Sequence, residues 1–275
     1  MKRILFDITS PFGTWNPQGL AAISLNCLQK LPRWALFRRL AFLLRKPIKS
    51  GRQQLYDREI WGLRLRLSTQ GNLTEQRWLT MEQFHDWPER RFLREFLQDR
   101  SVFLDVGANA GFYTMWVLSR CRDSMAIAVE PVETLVERFR FNLKLNSMQN
   151  RVQIFCCAAT PQICEVSIVE GSANLGQTSV KAQGVGERVP GRPLLDIIRE
   201  AGVPRVDAMK IDIEGNEVGV LSSFFAEAPR ALWPRLVIAE IFNESSGALQ
   251  NLLAQNQYVL KCATKMNGIF CRNPE

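Results

Sequence analysis

The sequence predicts an α/β fold: a doubly wound, mostly parallel seven-stranded sheet with an antiparallel C-terminal hairpin and a basic N-terminal helical and β extension. Three observations carry this. From residue 100 onward, short apolar runs alternate with helical periodicity at least four times, the pattern of parallel strands joined by crossover helices. The first run (Val102, Phe103, Leu104, Val106) stops at Gly107, and Gly111 follows just before a helical pattern through Tyr113, Trp116, Val117 and Leu118. Finally, Asp105, Glu130, Asp212 and Glu214 all fall at carboxyl ends of predicted strands, where such sheets bind ligands.

The extension covers residues 1–79 and the sheet domain residues 80–275. Residues 1–60 hold eleven Lys and Arg against three acids, so the whole net charge of +8 resides there and the remainder balances. Pro11, Gly13, Pro17 and Gly19 punctuate the beginning and argue against regular structure. Residues 32–46 set a basic face against Trp34, Phe37, Leu40, Ala41 and Leu44, an amphipathic helix suited to its own domain, a partner or an anionic membrane surface. From Trp61, Leu63, Leu65 and Leu67 alternate with Arg64 and Arg66, a half-buried strand within a small hairpin. Thr80 to Leu97 reads as helix broken near Trp87–Pro88, and His85, the one histidine of the chain, sits here beside Asp86.

After the central strand and its helix, residues 125–131 (MAIAVEP) form a second buried strand ending in Glu130, and residues 132–145 a helix. Residues 152–157 form a third strand. The stretch 163–188 reads as a surface strand followed by a mobile loop, Gly171 to Gly186, rich in Gly, Ser, Asn and Gln. Leu194 to Ala201 is a short helix, Val206 to Ile213 a fourth strand, Val218 to Phe225 a helix, and Leu236 to Phe242 a fifth strand containing Glu240. Leu249 to Ala254 is helical, and the end reads as a hairpin turning at Asn267–Gly268.

A glycine turn between a buried strand and a helix N-terminus lets backbone N–H groups approach a polar ligand. Asp105 makes that ligand an ammonium or sulfonium rather than a pyrophosphate, unless the carboxylate only caps the helix. Glu130 lies 25 residues after Asp105, close to the roughly 20-residue spacing at which an acid binds a ribose hydroxyl pair. GANAG lacks the middle glycine that admits a pyrophosphate, which disfavours a dehydrogenase. A ribose and adenine without pyrophosphate, tolerant of an acid at the other end, describe S-adenosylmethionine. The seven cysteines form no CxxC pair, which fits an intracellular chain. No metal-ligand spacing is visible. Neither a bilayer-spanning run nor an apolar signal core is present, so the expectation is a cytoplasmic protein, with peripheral contact at a membrane's inner face as the variant that residues 32–46 suggest.

DVGANAGFYT, then VEP with a helix ending in LKLN, then MKIDIEGNEVGVL and LVIAEIF, in this order, resemble the FkbM family of S-adenosylmethionine-dependent methyltransferases over roughly residues 80 to 262. The resemblance implies a class I methyltransferase, Rossmann-like fold that methylates a hydroxyl of a sugar, glycan, lipid or natural product. It implies that Asp105, Gly107, Asn109 and Gly111 form the methionine-side loop, that Ala108, Tyr113, Thr114, Pro131 and Asp212 also bind the cofactor, and that Glu130 holds the ribose. By the same resemblance Ala158 lines the adenine pocket, although CCAATPQ departs there from the acid or asparagine many methyltransferases carry. Asp212 and Glu214 face the methyl-transfer region, and Thr178 and Ser179 match a loop that approaches the acceptor.

A hydroxyl acceptor must lose a proton, so a carboxylate or histidine is needed. The candidates are Asp212, Glu214, Glu240 and His85, with Asp212 first, Glu240 also suited to orienting the acceptor or pairing with Lys210, and His85 better read as packed or solvated. A nucleic-acid or protein methyltransferase, or a silent S-adenosylmethionine-binding module with a membrane-surface helix, stays open. The neutral sheet domain has no extended basic stripe and no (D/N)PPY-like segment, which argues against nucleic acid.

Overall fold

In the computed structural model, which describes residues 6–171, 174–181, 186–242 and 246–273, the chain begins with helices α1 (Gly19–Lys30), α2 (Ala35–Leu44) and α3 (Lys46–Ser50). A hairpin of β1 (Leu55–Ile60) and β2 (Leu63–Ser68) follows, then α4 (Leu73–Met81) and α5 (Trp87–Phe96). Trp61 and Gly62 both take positive φ at the hairpin tip, the geometry whose twist matches antiparallel strands. Asn72 caps α4, accepting from the Thr74 and Glu75 amides at 2.9 and 3.2 Å.

The sheet domain runs β3 (Val102–Val106), α6 (Phe112–Arg120), β4 (Met125–Val129), α7 (Glu133–Leu145), β5 (Val152–Phe155) and the short β6 (Ala158–Ala159). It continues with β7 (Cys164–Gly171), β8 (Asn174–Lys181), β9 (Glu187–Arg192), α8 (Leu194–Ala201), β10 (Ala208–Ile211) and α9 (Glu217–Glu227). It closes with β11 (Leu236–Glu240), α10 (Ser246–Gln255), β12 (Tyr258–Ala263) and β13 (Asn267–Arg272).

Seven strands form the main sheet in the order β12-β13-β11-β10-β3-β4-β5. β11, β10, β3, β4 and β5 are parallel, and β13 lies antiparallel between β11 and β12. The predicted fold class is therefore the observed one. From β3 the chain winds outward to β4 and β5, then returns to lay β10 on the other side of β3. The order thus reverses between β3 and β10, and a ligand crevice opens at such a point beyond the strands' carboxyl ends. Two apolar layers cover the sheet. One packs α6 and α7 with the β1–β2 hairpin around Phe103, Trp78 and Phe139, the other packs α8 to α10 around Leu104, Met209 and Val237.

Three expectations are corrected. The Gly171 to Gly186 loop holds strand β8, paired antiparallel with β7, in a second sheet ordered β6-β9-β7-β8. Its polar composition concealed a strand because that strand lies at a sheet edge, where one face need not be apolar; residues 172–173 and 182–185 lie outside the described residues. The C-terminal hairpin turns at Thr264 to Met266, and Asn267 and Gly268 are already in β13. There the Thr264 hydroxyl accepts from the Asn267 amide at 3.0 Å, while the Asn267 side chain donates to Glu89 of α5 at 2.8 Å.

The third correction concerns Arg66, which is fully buried rather than on a polar face. Its guanidinium donates to both Asp57 oxygens at 2.7 and 2.9 Å and to the backbone carbonyls of Asp7, Ser10 and Pro11. Every N–H is satisfied, and the irregular segment before α1 is tied to the hairpin by a charge that no water reaches. Substituting Arg66→Met strands the buried Asp57 carboxylate; the expected outcome is a loss of about 3–5 kcal/mol in chemical denaturation.

Candidate active site

Lys210 occupies the middle of the β3–β10 switch point, paired in register with Asp105 of β3. Its ammonium donates to the Gly107 carbonyl at 3.2 Å and lies 3.2 Å from Asp212 Oδ2 and 5.6 Å from the centre of the Tyr113 ring. Burial works against its charge, but Asp212 and Asp105 outweigh burial and hold it above the ordinary lysine range. Lys210 thus pairs with Asp212, and its charge also acts on Glu240.

The loop after β3 needs its glycines. Gly107 has φ +75° and a Cβ there would overlap the Asp212 carbonyl oxygen, whereas Gly111, at φ +83°, faces the Phe139 ring where a Cβ would go. Asn109 also takes positive φ. Its side-chain oxygen accepts from the Ala110 amide at 2.8 Å and from the Asn72 side chain at 2.5 Å, so the cap of α4 also steadies the loop. The Asn109 amide donates to Glu130 Oε2 at 2.7 Å, and the Val132 amide donates to Oε1 at 3.0 Å. Burial pushes the Glu130 carboxyl up to about 7 despite these two bonds.

Gly107, Ala108, Asn109, Tyr113, Glu130, Pro131, Ala158, Asp212, Glu214 and Glu240 all line one crevice at the carboxyl end of the sheet. Asp105, Gly111 and Thr114 stand behind it. The Asp105 carboxylate accepts from the Thr114 amide and hydroxyl at 3.1 and 2.7 Å, which anchors α6 and supports the capping alternative. Burial raises its carboxyl, with Lys210 opposing. Thr178 and Ser179 lie in β8, and their side chains fall outside the described residues.

On the far side, the acids are crowded. Oxygens of Asp212, Glu217 and Glu240 lie within 4.8 Å of one another, a spacing that a divalent cation could bridge. Nothing in the local sequence signals this, because Glu240 comes from β11 and Glu217 from the first turn of α9. Glu217 Oε1 accepts from the Ile213 and Gly215 amides at 2.8 and 3.3 Å, which holds Glu214 in its left-handed conformation. Burial first, then the charges of Asp212, Glu214 and Glu217, push the Glu240 carboxyl up to about 7.

Sequence reasoning set His85 aside, yet it lines the crevice with Asp86. Asp86 begins α5 in the left-handed region, which turns its carboxylate inward. Tyr113 donates its hydroxyl to Asp86 Oδ2 at 2.9 Å, and His85 Nδ1 lies 3.3 Å from Oδ1. Leu73, Thr74 and Arg77 of α4 and Met266 and Asn267 of the last hairpin complete the rim. The adjacency of the one histidine to an acid was the signal available.

A family model described as the methyltransferase FkbM domain matches residues 105–260. This chain belongs to the FkbM methyltransferase family. The chain is similar to the AMB antimetabolite synthetase AmbE of Pseudomonas aeruginosa, 24% identical over 187 residues, which cover 54% of this chain and 9% of that one. Among solved structures it resembles the FkbM methyltransferase of Methylobacillus flagellatus at 16% identity and TM-score 0.46, covering 72% of this chain and 54% of that one. It also resembles an O-methyltransferase of Bacillus cereus in complex with SAH at 13% identity and TM-score 0.42, covering 66% of this chain and 78% of that one.

Desolvation dominates the charge neighbours of His85, lowering its pKa to about 4. As the one histidine, it gives a single set of imidazole resonances. These are expected to report a neutral ring from pH 8 to 5 and to shift only near 4; Asp86→Asn, removing the charge that favours protonation, moves the titration lower still, as NMR would show.

Proposed function

We propose that this FkbM-family chain transfers a methyl group from S-adenosylmethionine to a hydroxyl of a sugar, glycan, lipid or natural product. The observation that carries the reading is the Glu130–Asn109 contact, which sets a ribose-binding acid against a glycine loop at the switch point. The residues fit the donor. Glu130 uses one lone pair of each oxygen on the backbone and keeps others for ribose hydroxyls. Ala158, Ala159 and Pro131 offer small and apolar surface for an adenine, and the crevice carries more carboxylates than cations, which suits an ammonium and a sulfonium. When bound, S-adenosylmethionine supplies an electrophilic methyl group.

The chain's own work is to align the acceptor, exclude water and take up its proton. Glu240 is the better base, in place of Asp212. The Asp212 carboxylate is held by Lys210 at 3.2 Å, whereas the Glu240 carboxyl titrates near 7, where a base both exists and accepts at neutral pH. Asp212 then orients the cationic end of the donor, and Glu214 adds to the field. Residues 80–275 form the methyltransferase domain, and residues 1–79 its extension, whose α4 supplies part of the crevice rim. The proposed working place is the cytoplasm, with peripheral contact at a membrane's inner face as the variant that residues 32–46 suggest.

Calorimetric titration with S-adenosylmethionine tests the cofactor: saturable binding is expected, at least tenfold weaker in Glu130→Ala, a loss of about 1.4 kcal/mol or more. Absence of binding by the folded protein, with and without candidate acceptors, would sink the reading. Once an acceptor is found, the rate is expected to rise with pH through about 7 as Glu240 loses its proton. Glu240→Gln should remove that limb and lower kcat by about 10²–10⁴-fold.

A further inference from the structure

The N-terminal helices leave apolar surface in water that the fold does not use. α1 buries Leu25 and Leu28 and presents Leu20 and Ile23 outward, 72% and 62% exposed. α2 turns Ala41 inward and exposes Leu40, Phe42 and Leu43, with Trp34 at its start 73% exposed. Isolated exposed hydrophobics are ordinary, but here six fall within 24 residues of one helical pair. Around them the charge has a single sign. Between Asp7 and Asp57 the chain carries eight Lys and Arg and no acid, and Lys30, Arg33, Arg39, Lys46 and Lys49 are exposed.

We propose that α1, α2 and α3 form a docking face for an anionic lipid bilayer, with Trp34, Leu40 and Leu43 entering the headgroup boundary and Arg39 of α2 and Lys46 and Lys49 of α3 meeting the lipid phosphates. Apolar and cationic groups side by side on short neighbouring helices are the combination that lies in a membrane interface, because acyl burial and electrostatic attraction add. Among the described residues no helix is long and apolar enough to cross a membrane, so this contact is peripheral. A second copy of the chain fits the face poorly, since it would bring two acid-free basic surfaces together. Nucleic acid would satisfy the charge and leave Leu20, Ile23, Leu40 and Leu43 without a function, because aliphatic side chains offer no stacking plane. The inference rests on the exposed apolar and basic side chains of these helices, and not on methyl transfer.

The test is co-sedimentation of the full chain with vesicles of phosphatidylcholine alone or mixed with phosphatidylglycerol, without methyl donor, so its failure leaves the proposed reaction standing. Binding to the mixed vesicles is expected, weakening about tenfold or more on neutral vesicles, in Leu40→Ser/Leu43→Ser and in Arg39→Glu/Lys46→Glu. These side chains are exposed, and thermal melts should match wild type. No binding of the folded protein to anionic vesicles overturns the proposal, as does binding that neither double variant weakens. Binding to a short RNA duplex that only the charge variant weakens, alongside vesicle binding with the same dependence, reassigns the face to polyanions. A wild-type dimer in light scattering that Leu40→Ser/Leu43→Ser dissolves assigns it to a second copy.

Discussion

The buried Lys210 ammonium is the interaction on which the crevice depends. Without it, the buried Asp105 and the half-exposed Asp212 would repel each other across adjacent strand ends, and the Gly107 carbonyl would lose its donor. Beside it, β3 and β10 pair through their backbones, and a Cβ at position 107 would overlap the Asp212 carbonyl oxygen. The lysine therefore sets the charge balance of the switch point, and the paired backbones set its sterics. A group so buried keeps its proton only because two carboxylates surround it, so cation and anions specify one another.

Beyond this lysine the charge is lopsided. Asp212, Glu214, Glu217 and Glu240 crowd one side and Glu130 the other, and burial raises the Glu130 and Glu240 carboxyls toward neutrality. A site of this kind stores electrostatic tension that a cationic ligand relieves. It also separates the duties of chemically identical groups. Glu217 holds a left-handed turn, Asp212 pairs with Lys210, and burial and neighbouring acids raise the Glu240 carboxyl.

Much of this was legible in the residues. VFLDV, MAIAV and LVIAE are apolar on both faces because both sheet faces are covered, and a run of that kind reads as a parallel strand without knowledge of its partners. Gly107 and Glu130 were legible because turn chemistry and strand ends are local. What failed was long-range. Arg66 looks like an outward member of an alternating strand, and only the chain's arrival from Asp7 to Pro11 makes a buried cation affordable. Strand β8 has a polar sequence, and its identity comes from the neighbour that pairs with it. His85 and Asp86 reach the crevice because α5 packs beside α6, a contact that spacing along the chain does not announce.

The matched family region begins at Asp105, but the rim of the crevice does not. Thr74 and Arg77, His85 and Asp86 come from before it, and Met266 and Asn267 from after it, joined by Glu89 bridging α5 to the last hairpin. Floor and rim are thus separate stretches of the genetic text. A substitution in the flanks would reshape the entrance of the crevice without touching the loop, Lys210 or Glu130.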